Sequence, residues 1–292
     1  MVLRTIFVLI GVLALVAFTG PRPDRDTIRL VETDAGHMVA EVRLEDGRTI
    51  QAVIDTGATV ALMDHAVLSP ETYSVDQAFD TVDIVSLGGV ETLPSVVMPN
   101  LYVSKTPLND TLAGLIEGKP YLQADSVLPA QSFKYRTLDF HFPRRLLSLY
   151  DTRPRRPARR RLAREKIIDR EGLWFIDVRL NGQKGLALVD TGSNASFLNG
   201  AFAEAAKLPV SQGHIVEIEG ATSVETQGRR VNVRKLSVGG LSVHDFDITI
   251  VDPPLFEALG MSAEPILVIG MDFLQHIRMQ VDQKKREIRF WY

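Results

Sequence analysis

Hydrophobic and polar positions in this chain sort into many short alternating runs, not into long helical stripes. Residues 39–44 and 175–180 alternate at every second position, as half-buried strands do. Each run meets a strong hairpin dipeptide, Asp46-Gly47 in one case and Asn181-Gly182 in the other. Each turn leads into an apolar strand, residues 50–54 and 185–189, and each strand ends in Asp-Thr-Gly. The chain then stays extended through Val60-Ala61-Leu62-Met63 and Ala195-Ser196-Phe197-Leu198. The pattern predicts a short helix over 201–207, ended by Pro209, and further short helices over 110–116 and 255–259. Two hairpin-like runs hold Leu87-Gly88-Gly89-Val90 and Glu219-Gly220-Ala221-Thr222, where glycine permits backbone conformations other residues resist.

These elements recur in one order, so the chain reads as an internal duplication. Val42-Arg43-Leu44 matches Val178-Arg179-Leu180, and Val90-Glu91-Thr92 matches Val224-Glu225-Thr226. Leu101-Tyr102-Val103 matches Leu236-Ser237-Val238. Residues 138–149 match 279–290 without a gap, so each copy closes with an apolar strand, a helical turn and a final hairpin. The expected organisation is mainly β. A terminal segment covers residues 1–25, a first lobe 26–150, a linker 151–166 and a second lobe 167–292.

Composition adds limits. The net charge of −3 gives no global field that points to nucleic acid. The absence of cysteine removes disulfides, thiol catalysis and thiolate metal sites. Arg4 precedes an apolar run over residues 6–18, which reads as an export signal and is short for a membrane span. The expected location is therefore the periplasm or the outside of the cell, with an uncleaved N-terminal membrane anchor as the alternative. The linker carries Arg153, Arg155, Arg156, Arg159, Arg160, Arg161 and Arg164. It reads as solvated and extended; contact with anionic headgroups and a processing site between the halves are its functional readings. The six histidines (His37, His65, His141, His214, His244 and His276) lack metal-ligand spacing, so no metal or other cofactor is expected. Trp174, Trp291 and Tyr292 are expected in the core or between the lobes.

The candidate chemistry lies in Asp55-Thr56-Gly57-Ala58 and Asp190-Thr191-Gly192-Ser193. One Asp-Thr-Gly is an ordinary turn after a strand. Two, in matched copies, can bring their carboxylates together about a pseudo-twofold axis. Adjacent carboxylates cannot both ionise cheaply, so one keeps a proton and the other loses it. Such an acid and base can activate water against a peptide carbonyl. Thr56 and Thr191 can hydrogen-bond across the axis, and Gly57 and Gly192 let the backbone turn tightly.

On these residues the chain resembles a retropepsin-like aspartic protease with both lobes fused. In the second copy Val189-Asp190-Thr191-Gly192-Ser193 and Val268-Ile269-Gly270 meet both parts of the family pattern, and Met271-Asp272-Phe273-Leu274 begins the helical turn that follows. In the first copy Ile54-Asp55-Thr56-Gly57-Ala58 meets the first part. The resemblance implies a peptide hydrolase with Asp55 and Asp190 as the catalytic pair, and the fused copies make a monomer the expected state. It also implies that the hairpins around Leu87 to Val90 and Glu219 to Thr222 act as flaps over an extended peptide. The copies differ at two places. Leu128-Pro129 stands where the second copy has Ile269-Gly270, and proline lacks an N–H. Ala58 stands opposite Ser193, whose hydroxyl is expected to donate to Asp190 and favour its charged form. A catalytically silent peptide-binding module using the same cleft is the alternative function, and Pro129 is the residue that favours it.

Overall fold

A computed structural model describes residues 23–68, 80–86, 89–117, 123–158, 161–219 and 225–292. The first half runs through β1 (Arg25–Glu32), β2 (Met38–Arg43), β3 (Thr49–Asp55), β4 (Ala61–Asp64), β5 (Asp80–Ser86), β6 (Gly89–Val103), β7 (Thr106–Ile116), β8 (Ser126–Pro129), β9 (Thr137–His141) and β10 (Leu146–Tyr150). The second half begins with β11 (Arg161–Lys166), β12 (Ile168–Arg170), β13 (Leu173–Leu180), β14 (Gln183–Val189), β15 (Phe197–Leu198) and the helix α1 (Gly200–Ala205). It continues with β16 (His214–Glu219), β17 (Glu225–Val238), β18 (Leu241–Ile250), α2 (Pro254–Ala258), β19 (Ile266–Ile269), α3 (Met271–Leu274), β20 (Arg278–Asp282) and β21 (Glu287–Trp291).

The fold is mainly β and contains a closed six-stranded barrel. In the first half the ring runs β2–β3–β8–β4–β7–β6 and returns to β2. In the second half the pairings β13–β14–β19–β15–β18–β17–β13 also form a ring. Within each ring two contacts are parallel: β3 with β8 and β4 with β7, then β14 with β19 and β15 with β18. In both halves a parallel contact brings the strand that ends at the aspartate beside the late apolar strand.

A six-stranded sheet, in the order β11-β21-β20-β9-β10-β1, ties the halves together. At its middle β9 pairs with β10 on one side and with β20 on the other. Strand alternation gives this sheet two unlike faces. Leu138, Phe140, Leu147, Leu149, Met279, Val281, Ile288 and Phe290 are buried and join the main core. Asp139, Ser148, Tyr150, Gln280 and Arg289 alternate with them and point the other way.

Three expectations need correction. Residues 110–116 are strand, not helix: they belong to β7, paired antiparallel with β6 and parallel with β4. A run this short does not separate helix from strand by its own periodicity, and the barrel pairing decides it. Its partner at 255–259 is helical, as α2. The end of the Arg-rich linker, 161–166, is the edge strand β11 on β21. Tyr292 is exposed at 69 %, past the end of β21, whereas Trp174 and Trp291 are buried. The helix expected over 201–207 forms as α1, capped by Asn199, whose side chain accepts from Phe202 N. Leu87, Gly88, Gly220, Ala221 and Thr222 lie outside the described residues, as does the apolar run 6–18; no helix among the described residues is long and apolar enough to cross a membrane.

Since β9 lies between strands of both halves, the halves are expected to unfold together. Phe140, fully buried on β9 and stacked on Phe142 at 5.5 Å, is the place to weaken the junction. Phe140→Ala should cost about 3–5 kcal/mol and leave one cooperative urea transition in tryptophan fluorescence. Two separated transitions in the wild type would contradict this.

Candidate active site

The parallel contact β3–β8 sets Asp55 at the end of a strand whose residues 52–54 are buried, and β14–β19 sets Asp190 just past a strand whose residues 187–189 are buried. The chain then turns at Thr56-Gly57 and Thr191-Gly192, and the two turns meet. Thr56 N donates to Thr191 Oγ1 at 3.0 Å, and Thr191 N donates to Thr56 Oγ1 at 3.1 Å. Each hydroxyl also donates across: Thr56 Oγ1 to Val189 O at 2.6 Å, and Thr191 Oγ1 to Ile54 O at 2.7 Å. Every hydroxyl therefore accepts one bond and donates one, a dual capacity the carboxamide, carboxylate or methyl of a similar-sized side chain does not combine on one atom. Both threonines are buried, so these four bonds form away from competing water.

The link brings the two carboxylates together. Gly192 N donates to Asp190 Oδ1 at 2.8 Å and to Asp55 Oδ1 at 3.1 Å, a single N–H shared between the pair. Gly57 N donates to Asp55 Oδ1 at 2.6 Å, and Ser193 N to Asp190 Oδ1 at 3.0 Å. The glycines are needed for space rather than for unusual torsion, since neither has a positive φ. A Cβ on Gly57 would lie 2.5 Å from Asp190 Cγ, and one on Gly192 still closer to Asp55 Oδ2. Each glycine is the floor on which the opposite carboxylate rests.

Both carboxyls are half-buried and are pushed above the ordinary carboxylate range. For Asp55 the shift is large, driven first by burial and then by the charge of Asp190, against the N–H groups of Gly57 and Gly192. For Asp190 burial is opposed by a hydrogen bond from Asp55 and by the N–H groups of Gly192 and Ser193. Both shifts run upward and the larger is at Asp55, so the pair favours sharing one proton over carrying two charges. The expected cause of this inequality does not hold. Ser193 Oγ donates to Ala195 O at 2.7 Å, not to Asp190; the backbone N–H of Ser193 supplies the bond instead.

The Pro129 departure also resolves. In the second half Gly270 N donates to Ser196 Oγ at 2.8 Å, and Ser196 Oγ donates to Asp272 Oδ1 at 2.6 Å. In the first half the matching positions are Pro129, Ala61 and Gln131. The missing N–H and the missing hydroxyl occur together, so neither leaves an unpaired group. Pro129 has φ −57°, within the range its ring fixes. Gly270, by contrast, admits no Cβ, which would lie 2.7 Å from the Ala195 backbone. Ala58 packs beside Leu62, Leu93 and Val127.

Gln131 escapes a reading of the motifs alone. Its Nε2 donates to Thr56 O at 3.1 Å and to Gly172 O at 3.0 Å, and so ties the Asp55 turn to the second half. The signal was two residues past Pro129, where the gapless match pairs Gln131 with Asp272. The flap candidates are only partly placed. Gly89 and Val90 begin β6 on its hairpin with β5, where Val90 is exposed, and Glu219 ends β16 opposite Glu225. The β5–β6 hairpin rests against α2 of the second half. Among the described residues no group of three or more His, Asp or Glu side chains is arranged to hold a metal ion.

A family model described as Aspartyl protease matches residues 176–273, which span β13 to α3 and include Asp190, Thr191, Gly192, Ser193 and Gly270. A search of curated proteins found no match.

The raised Asp55 carboxyl has a consequence for stability. A carboxyl whose folded pKa lies above its unfolded value favours the fold below the unfolded value, and that contribution is lost as pH rises through the folded one. Asp55→Asn removes the group and keeps an oxygen for the Gly57 N–H. It should raise Tm by about 2–4 °C per kcal/mol of relieved repulsion at about pH 8, and the gain should vanish near pH 4, the ordinary carboxylate range. Calorimetry at both pH values checks this; an equal shift at both would contradict it.

Proposed function

We propose that this chain, whose residues 176–273 match a family model of aspartyl proteases and resemble the retropepsin-like kind, is an aspartic endopeptidase with Asp55 and Asp190 as its catalytic pair. The observation that carries the reading is the shared Gly192 N–H under two carboxylates locked together by Thr56 and Thr191. In this reading the halves 26–150 and 167–292 are fused copies of one lobe about a pseudo-twofold axis. The matched sequence runs and the equivalent ring pairings support it.

The proposed chemistry follows from the unequal pair. A water held between the carboxyls gives a proton to ionised Asp190 as its oxygen attacks the peptide carbonyl carbon. Asp55 gives its proton to the carbonyl oxygen as negative charge develops there. The tetrahedral species then collapses: the C–N bond breaks, the leaving amine takes the proton from Asp190, and Asp55 recovers one from a hydroxyl. The site ends as it began, with one proton on the pair.

The β5–β6 and β16–β17 hairpins are the proposed flaps, and an extended peptide would lie beneath them as an added strand. The chain is proposed to be exported, from Arg4 and the apolar run after it, and to act as a monomer, since both aspartates come from one chain. The silent-module reading draws little support from Pro129, because Ala61 removes the hydroxyl that a Gly270-like N–H would have met. The two readings part on turnover.

Incubating a mixed peptide library with the wild type at mildly acidic pH should yield internal cleavages. Asp55→Asn and Asp190→Asn should each lower the rate by on the order of 10⁴-fold or more. A wild type that binds peptides but cuts none at any pH would leave the binding module.

A further inference from the structure

The outer face of the six-stranded sheet has no part in the proposed chemistry, and its exposed charge is mainly positive. On the strands its acids are Asp139, Asp282 and Glu287, all buried, and the linker adds the exposed Asp151, which accepts from Arg136 N at 3.1 Å. Each buried acid is already held: Asp139 by Arg278 at 2.7 and 2.6 Å, Asp282 by Arg136 at 3.2 Å, and Glu287 by Arg164 and Arg289. Pairing in register sets Arg25 beside Tyr150, Thr27 beside Ser148 and Arg29 beside Leu146, so both β1 arginines stand on this face. The linker crosses the same face. Thr137 Oγ1 donates to Thr152 O at 2.8 Å, Gln280 Nε2 donates to Arg155 O at 2.9 Å, and the Arg155 guanidinium lies over the Tyr150 ring. At Thr152 and Arg155 the linker backbone is fastened to the sheet, and the side chains of Arg153, Arg155 and Arg156 are exposed. Arg25, Arg29, Arg153, Arg155 and Arg156 are exposed and make no ion pair among the described residues.

A second observation says what this face meets. The chain enters the sheet at β1, one intervening residue after Pro23, whose carbonyl accepts from Tyr135 Oη at 2.9 Å. The apolar run 6–18 is joined to that point by only a few residues. The sequence thus joins an apolar run to a cationic face at one place, and the inner face of the sheet carries the core shared with the barrels.

We propose that the outer face of the six-stranded sheet, with Arg153, Arg155 and Arg156 of the linker exposed on it, is a docking surface for an anionic lipid bilayer, held there by the N-terminal apolar segment and leaving the Asp55–Asp190 site turned away from the membrane. Each cation near an anionic bilayer strengthens binding about fivefold, and the effect is confined to about 10 Å at 0.1 M salt, so a face that gathers several unpaired cations uses this attraction well. The inference does not depend on peptidase activity.

The test uses the full chain with phosphatidylcholine vesicles and with vesicles that also contain phosphatidylglycerol. The wild type should favour the anionic vesicles. The triple variant Arg29→Gln/Arg153→Gln/Arg156→Gln, which touches no described hydrogen bond, should lose on the order of 100-fold there and nothing on the neutral vesicles. Because the chain has no cysteine, a dye on Ala158→Cys reports the sheet face and a dye on Val90→Cys reports the β5–β6 hairpin. Lipid-borne quencher should reach the first and not the second. Equal binding of wild type and triple variant to anionic vesicles would overturn the proposal, as would quenching of the Val90→Cys probe alone. Saturable binding of inorganic phosphate that the triple variant loses, without a preference for anionic vesicles, would instead mark a small-anion site. Tighter binding to a nucleic-acid duplex than to anionic vesicles would also overturn it.

Discussion

Two side-chain hydroxyls hold this site together. Thr56 and Thr191 each accept the other's N–H and each donate to a carbonyl at the end of the opposite aspartate strand. Much else depends on that exchange. It sets the turns so close that Gly57 and Gly192 must lack a side chain, and it lets one N–H serve two carboxylates. Two like charges brought together at half-buried positions cannot both persist, so the geometry itself imposes a shared proton. The barrels supply the strands that end at this point, and the six-stranded sheet fixes the halves that carry them.

The pair is unequal although each carboxyl accepts two backbone N–H bonds; the difference lies between the two side chains themselves. Asp190 accepts from Ser193 N and from Asp55, whereas Asp55 faces the Asp190 charge in a site that opposes ionisation. Proton on one, charge on the other is the state an acid–base pair needs at the start of a cycle. The first half, which departs most from the family pattern, is not distorted by its proline. Pro129 lacks a donor where Ala61 lacks an acceptor, and Gln131 adds a tie to Thr56 and Gly172 that the second half does not use.

Much of this was legible in the sequence because strands and turns are local. The alternating runs, the Asp46-Gly47 and Asn181-Gly182 turns and the paired Asp-Thr-Gly motifs needed no partner to be recognised. Long-range pairing was the obscure part. Residues 110–116 looked helical until β4 and β6 closed around them, and the linker end looked free until β21 offered an edge. Ser193 shows the same limit at the scale of one atom: the residue was found, but its hydroxyl chose the nearby Ala195 carbonyl over the carboxylate. Hydroxyls choose among several acceptors within reach, and a sequence does not rank them.

The central claim is that Asp55 and Asp190 titrate as one unit. Carbon-13 NMR of aspartate carboxyl groups across pH tests it most directly, with Asp55→Asn and Asp190→Asn spectra assigning the two signals. The account predicts two coupled steps, with one proton retained well above the ordinary carboxylate range and held mainly on Asp55. Two independent titrations near the ordinary aspartate value of about 3.9 would contradict it.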